Sequence, residues 1–268
     1  GKELTLPCFF KSGESGSASI WEARFTPQEK GTYSYIFRYK EDGKTASETA
    51  ETTFKAAKGK GKGILHTSDN STLVYDNGEP FRGVGINLCW ESRTNDDSKF
   101  FKALHEEHDR FSYDVMLPDF AANGGNFTRM WMCSWNFPID RKDRFNNHRY
   151  TATAEYMNPS AVSHLDEVIR LAEDLDIKIM LCMGQGDVRA NRGFFNDEDA
   201  KARYRNYLRY IVARWGYSPA IGMWEFFNEI DNIQHRDRNG VIPAAEIVAW
   251  HDQMSTYLKE IDPFQHIR

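Results

Sequence analysis

The sequence predicts a two-part α/β chain: a partial β-sandwich over residues 1–62, then parallel strands with crossover helices over residues 79–268. Three observations carry that expectation. Before residue 62, short strand-like runs alternate with turn-rich stretches. After residue 79, apolar strands alternate with segments of helical period. The last of those strands closes on Trp224-Glu225-Phe226-Phe227-Asn228-Glu229-Ile230-Asp231, an apolar run that ends in an amide and carboxylates. In parallel sheets, the carboxyl ends of the strands are where sites form.

In the first part, Glu3–Phe10, Ser19–Phe25, Thr32–Tyr39 and Ser47–Phe54 read as strands. Lys11–Ser17, Pro27–Gly31 and Glu41–Lys44 are the turns between them. Regular short strands with this punctuation predict an immunoglobulin-like sandwich, and four strands are few for a complete one. Ala56–Lys62 is a Lys/Gly linker. Residues 63–78 continue it and hold a strand, Leu73–Tyr75, with a turn at Asp76-Asn77-Gly78.

In the second part, Arg82–Leu88 is the first strand. Ser98–Ala122 is largely helical and interrupted at Pro118, and Asn123-Gly124-Gly125 ends it. Asn126–Met132 is the second strand. Pro159–Leu175 carries Leu165, Val168, Ile169 and Ala172 at i, i+3, i+4 and i+7, an amphipathic helix. Ile177–Met183 is the third strand, and Asp197–Trp215 a helix with Tyr204, Leu208, Ile211, Val212 and Trp215 on one face. Ile221–Glu229 is the fourth strand and Ala244–Ile261 the fourth helix. Four β-then-α units imply a parallel sheet.

Composition narrows the function. The chain has 268 residues, 27 % of them charged, and a net charge of −5 with both signs interspersed. That balance argues against nucleic acid or an anionic membrane as a partner. No run of 18 apolar residues is present, so no membrane span is predicted. The chain starts at Gly1 without a visible signal peptide, which predicts a processed or recombinant product, with removal of a targeting segment left open. Aromatic residues make up 14 % of the chain, enough both for a core and for a carbohydrate cleft, where sugar C–H faces stack on flat rings. Cys8, Cys89, Cys133 and Cys182 lack metal-ligand spacing and read as reduced thiols. Cys89, Cys133 and Cys182 fall near strand ends and are expected to be neighbours at one rim. No metal or cofactor is predicted.

Three segments carry a family resemblance: Phe81-Arg82-Gly83-Val84-Gly85-Ile86-Asn87, Asn123-Gly124-Gly125-Asn126-Phe127-Thr128-Arg129-Met130-Trp131, and Tyr204–Trp215 running into Trp224–Asp231. They resemble the clan A glycoside hydrolases, the (β/α)8 group of cellulases and β-mannanases. Trp21-Glu22-Ala23-Arg24-Phe25-Thr26-Pro27 and Gly31–Tyr35 resemble the β-sandwich module that often precedes such barrels. The resemblance implies the first half of a TIM-type barrel over residues 79–268, since four units fit there and a whole barrel takes about 250 residues. Ile261–Arg268 reads as the approach to a fifth strand, and the expected partner is the missing half of the same barrel.

The resemblance also implies roles. Glu229 would be the acid/base, Asn228 would hold the sugar 2-hydroxyl, and Arg129 would lie beside the nucleophile and keep it ionised. A retaining glycosidase needs two carboxyl groups about 5–5.5 Å apart, one to protonate the leaving oxygen and one to attack. The clan's nucleophile ends strand seven, beyond this chain. Glu225 lies four residues before Glu229 and faces the same side of a strand, either as a second carboxylate or as a structural partner of a barrel residue. Trp90, Trp131, Trp135 and Gln185 follow or end strands and are candidates for sugar contact, against packing and solvation as the alternatives. Trp215 and Trp250 are expected in the core.

Three functions remain open. The first is a secreted, periplasmic or cell-surface retaining endo-β-glycosidase acting on a plant or algal polysaccharide. The second is a non-catalytic carbohydrate-binding protein on the same scaffold. The third is another (β/α) hydrolase or lyase in which Glu229 is only a general base.

Overall fold

The computed structural model describes the chain apart from residues 1–2, 15, 70, 92–109, 134–135, 143–150, 153–156, 185–190 and 236–239. At its centre is a parallel sheet of four strands: β9 (Gly85–Ile86), β10 (Phe127–Trp131), β13 (Lys178–Cys182) and β14 (Ile221–Glu225). They lie in chain order, β9-β10-β13-β14, and every pairing is parallel. This is the mixed α/β architecture expected from the alternating periodicities. Beyond β14, Ile267 forms a parallel bridge to Met223, with Trp224 N–H donating to the Ile267 carbonyl at 2.8 Å.

Helices return the chain between these strands. α1 (Tyr113–Ala122) precedes β10, and Pro118 sits inside it without ending it, contrary to the expected interruption. The upstream part of the predicted Ser98–Ala122 helix lies mostly outside the described residues. α2 (Pro159–Asp174) starts beside Asn158, whose side chain accepts from Ala161 N–H. After it come α3 (Arg192–Asn196) and α4 (Glu198–Trp215). Asp197 caps α4 by accepting from Ala200 N–H at 2.7 Å, and Glu198 and Asp199 in the first turn suit the helix dipole. α5 (Ile230–His235) and α6 (Ala244–Ile261) follow β14. Leu165, Val168, Ile169, Leu208, Ile211, Trp215 and Trp250 are buried, as the periodicity required.

Burial separates the two faces of the sheet. Along β10, Thr128 and Met130 are buried toward the helices, while Phe127, Arg129 and Trp131 are partly open on the other face. The period of two thus sends polar and aromatic side chains to the inner side. The first strand is much shorter than the predicted Arg82–Leu88. Only Gly85 and Ile86 pair with β10 in a ladder, and a Cβ at Gly85 would lie 2.9 Å from the Phe127 carbonyl; farther along, Trp131 N–H donates to the Cys89 carbonyl at 2.8 Å. Val84 and Ile86 are exposed at this edge.

Among its described residues, the N-terminal part holds six strands where four were expected. They pair antiparallel: β1 (Phe9–Ser12) with β2 (Ile20–Glu22), β3 (Gly31–Tyr35) with β6 (Thr52–Ala56), and β4 (Arg38–Glu41) with β5 (Lys44–Glu48). The predicted Thr32–Tyr39 run splits because its halves change partners. Asp42 and Gly43, both at positive φ, make the tight turn that folds β4 onto β5. β7 (Leu65–Thr67) and β8 (Leu73–Tyr75) form a further hairpin closed by Ser68 N–H donating to the Thr72 carbonyl, and the predicted turn follows β8, with Gly78 N–H donating to the Tyr75 carbonyl. A remaining short pair is β11 (Arg141–Lys142) with β12 (Thr151–Ala152).

Polar contacts join the N-terminal part to the helices. Arg24 makes two hydrogen bonds to Asp166 on α2, at 2.9 and 3.2 Å. Asp166 also accepts from Arg214 (3.1 and 2.6 Å) and from the Trp215 indole N–H (2.7 Å). Both guanidinium groups lie over the buried Phe9 ring. Thr26 donates to the Tyr217 carbonyl, and Phe25 stacks on Phe264. Among the described residues, no helix is long and apolar enough to cross a membrane.

Candidate active site

The inner face gathers its polar groups at the carboxyl ends of β10, β13 and β14. Arg129 points from β10 toward Glu225, the last residue of β14. Its Nε donates to Glu225 Oε2 at 2.6 Å and its Nη2 to Glu225 Oε1, a bidentate pair. The same Nη2 donates to Asn228 Oδ1 at 2.9 Å. The hydrogen bond to Glu225 raises the Arg129 pKa further, so the guanidinium is a permanent cation. Of the two roles open to Glu225, the geometry provides the structural one, a carboxylate held by a barrel arginine.

The bond to Arg129 also orients Asn228. Its oxygen faces the guanidinium, so its NH2 turns away as a donor. Asn228 is nearly buried, whereas the next residue, Glu229, is exposed. Glu229 sits at φ +49° and its Oε2 accepts from Asn232 at 2.6 Å. A left-handed non-glycine residue beside a polar network is strained backbone of the kind found at functional positions. The predicted placement of Glu229 at the end of a strand Ile221–Glu229 needs correction. The ladder stops at Glu225, where Met183 N–H takes the Glu225 carbonyl at 2.7 Å. Phe226 and Phe227 then leave the sheet to pack on Trp250. Glu229 is therefore a loop residue at the start of α5.

Trp90 and Trp131 join the cluster. Their rings are 4.8 Å apart, and the Arg129 guanidinium lies 5.2 Å from the Trp131 ring. Behind them the fully buried Asn136 donates to the Trp131 carbonyl (2.9 Å) and to Tyr113 Oη (3.3 Å), and accepts from Glu91 N–H. Those bonds tie the ends of the first two strands together under the two indoles. Trp135 and Gln185 lie outside the described residues.

Two of the expected rim thiols converge on Arg129. Cys182 Sγ lies 4.0 Å from Arg129 Nη2 and donates to the Gly184 carbonyl at 2.9 Å. Burial, and next the Glu225 charge, push the Cys182 thiol up to about 12. Burial likewise raises Cys89, against the nearby Arg129. Both are therefore neutral thiols at ordinary pH. Asn136, Gly184 and the Phe226–Phe227 turn escaped the sequence reading, because an isolated Asn or Gly carries no signal without its neighbours in space.

A parallel sheet with crossover helices, and a basic, amide and carboxylate cluster at its carboxyl end, defines the α/β class whose sites are built there. Within that class, the model of the cellulase family (glycosyl hydrolase family 5) matches residues 74–268, well over half of the chain. The chain belongs to this family. Among curated proteins it resembles the probable mannan endo-1,4-beta-mannosidase C of Aspergillus terreus, 30 % identical over 118 residues, covering 37 % of this chain and 29 % of the relative. It also resembles the mannan endo-1,4-beta-mannosidase A of Podospora anserina, 24 % identical over 56 % of this chain and 42 % of the relative. Among solved structures, a Bacteroides vulgatus chain ascribed to the glycoside hydrolases superposes with a TM-score of 0.63 at 17 % identity, covering 97 % of this chain and 50 % of that one. The β-1,4-D-mannanase of Cryptopygus antarcticus gives 0.51 at 19 % identity, over 74 % and 58 %. At such identity the two structures speak for the fold alone. The chain spans less than half the length of these curated relatives.

Proposed function

We propose that this chain is the part of a retaining endo-β-1,4-glycosidase that carries the acid/base, and that the polysaccharide is of the β-mannan type. The relatives named as mannan endo-1,4-beta-mannosidases support that substrate class, which plants and algae supply. The observation that carries the reading is the Arg129–Asn228 bond beside Glu229. It fixes an amide donor next to an exposed carboxyl at the carboxyl end of a parallel sheet. In this reading Glu229 protonates the departing glycosidic oxygen and then deprotonates the attacking water. The Asn228 NH2 donates to the sugar 2-hydroxyl. Arg129 pairs with Glu225, and its positive charge keeps ionised the nucleophile, a carboxylate on a later strand that this chain does not contain. Trp90 and Trp131 stack on sugar faces, with Trp135 and Gln185 as further contacts.

The organisation that goes with it is a partial sandwich module over residues 1–62, a linker and hairpin over 63–78, and the first half of a (β/α)8 barrel over 79–268, in a protein that works outside the cytoplasm. A purely carbohydrate-binding role is less favoured, because the curated relatives are named as mannan endo-1,4-beta-mannosidases. The test uses the full-length protein on β-1,4-mannan, with the first-formed anomer followed by NMR. Retention of the β configuration is expected. Inversion, or no cleavage of any β-1,4-linked polysaccharide, would overturn the reading.

A further inference from the structure

We infer that Gly184 is a positioning residue: its missing side chain sets where Asn228 and Glu229 stand relative to Arg129. The inference rests on the acid/base reading of Glu229. Gly184 lies two residues past the end of β13, and its carbonyl is a junction that accepts Asn228 N–H at 2.8 Å and the Cys182 thiol at 2.9 Å. Through the first bond, the backbone of the β13 loop grips the residue whose side chain Arg129 holds from β10. Asn228 is thus fixed at two points, by two different strands.

The space around Gly184 makes that grip possible. A Cβ there would lie 2.6 Å from the Phe226 carbonyl oxygen and 2.7 and 2.9 Å from Phe227 ring carbons. Real contacts do not come so close, and the first of the three is backbone, so it cannot yield by a rotamer change. Nor can the Phe227 ring retreat. On its other sides it meets Trp250 at 5.3 Å, Phe194 at 5.6 Å and His251 at 5.9 Å between centroids. Trp250 itself is fully buried. Close-packed interiors transmit such strain rather than absorb it. Any side chain at position 184 therefore pushes the Phe226–Phe227 turn outward. The displacement passes straight to Asn228 and Glu229, which follow it in the chain. Gly184 has no positive φ, so its role is room, not backbone freedom.

A displaced acid has a signature that a destabilised fold lacks. Misplacement by about 1 Å costs on the order of 10²-fold in rate. It weighs most on substrates whose leaving group needs protonation. Gly184→Ala in the full-length protein is compared with wild type on β-1,4-mannan and on an aryl β-mannoside with a good leaving group. Gly216→Ala is the control, because a Cβ there meets the Val212 carbonyl at 2.7 Å, remote from the site. Expected for Gly184→Ala is a loss of kcat near 10²-fold on mannan, several-fold at most on the aryl substrate, and a KM within about threefold of wild type. Gly216→Ala should lower Tm and leave the ratio of the two activities unchanged. An unchanged ratio in folded Gly184→Ala overturns the inference. Should that variant not fold, Cys182→Ala decides, since it removes the thiol that shares the Gly184 carbonyl. A selective loss of a few-fold on mannan is expected, and an unchanged ratio overturns the inference. If the wild type cleaves neither substrate, the acid/base reading itself fails, which is a different outcome from either.

Discussion

Of the arginine–carboxylate clusters among the described residues, two that lie partly buried end differently. In the first, Asp166 receives Arg24, Arg214 and the Trp215 indole, with both guanidinium groups over Phe9. In the second, Arg129 grips Glu225 and Asn228. Each has a charge-assisted bidentate pair at its heart. In the first, donors from α2's neighbours and from the N-terminal part surround the carboxylate, and the contact joins two regions of the chain. In the second, the paired groups are followed directly by Glu229, exposed and in a left-handed backbone conformation. The same chemistry that closes an interface in one place holds a carboxyl open in the other. The strained and open cluster is the one expected to do chemistry; the satisfied one is expected to hold the chain together.

Removing an arginine from the open cluster should break both properties at once. Arg129→Met removes the arginine partner of Glu225 and frees the Asn228 side chain. Breaking a fully buried pair costs about 3–5 kcal/mol; here both ends keep some water contact, so about 2–3 kcal/mol is expected from denaturant unfolding. Mannan cleavage by the full-length protein should fall with it, even under conditions where the variant is fully folded. A variant that lost stability but kept wild-type turnover would make the two clusters alike and sink the distinction.

The closed cluster should respond in stability only, and by less. Asp166→Asn should cost about 2 kcal/mol, the scale of hydrogen bonds to a charged group at a partly exposed site. Activity of the folded variant should stay near wild type. Burial pushes the Asp166 carboxyl up, but the hydrogen bonds from Arg24 and Arg214 outweigh it and hold the pKa below the ordinary 3.8. A depressed folded pKa contributes stability that is fully present above the unfolded value and lost as pH falls through the folded one. The gap between wild type and Asp166→Asn should therefore be constant above about pH 5 and close below pH 4. A gap that widened on acidification would contradict the ion-pair account.

The two clusters were not equally visible in the sequence. β10, β13, α2, α4 and α6 followed from periodicity to within a residue at each end, because an apolar face repeating every two or 3.6 positions survives folding unchanged. Glu225 and Arg129 were picked out through strand spacing and family resemblance. Their mutual bond was not, since 96 residues separate them in the chain. Phe226 and Phe227 are as apolar as strand residues, so the sequence alone extends the strand to Glu229. What takes them out of the sheet is Trp250 on α6, a tertiary contact without a local signal. Asp166 was unreadable for the same reason: one acidic residue on a helix does not announce an arginine 142 positions away. In the N-terminal part the turns were legible from Gly and Asp, but not the partner exchange that divides Thr32–Tyr39 between β3 and β4.

The central claim is that Glu229 is the proton donor and that the Arg129 cluster exists to place it. Glu229→Gln in the full-length protein, assayed on mannan and on an activated aryl β-mannoside with and without azide, tests it most directly. The account predicts a loss of roughly 10²–10⁴-fold on mannan, a much smaller loss on the aryl substrate, and partial rescue of aryl turnover by azide, with Tm unchanged. Equal losses on both substrates with no azide rescue, or unchanged mannan cleavage, would contradict it.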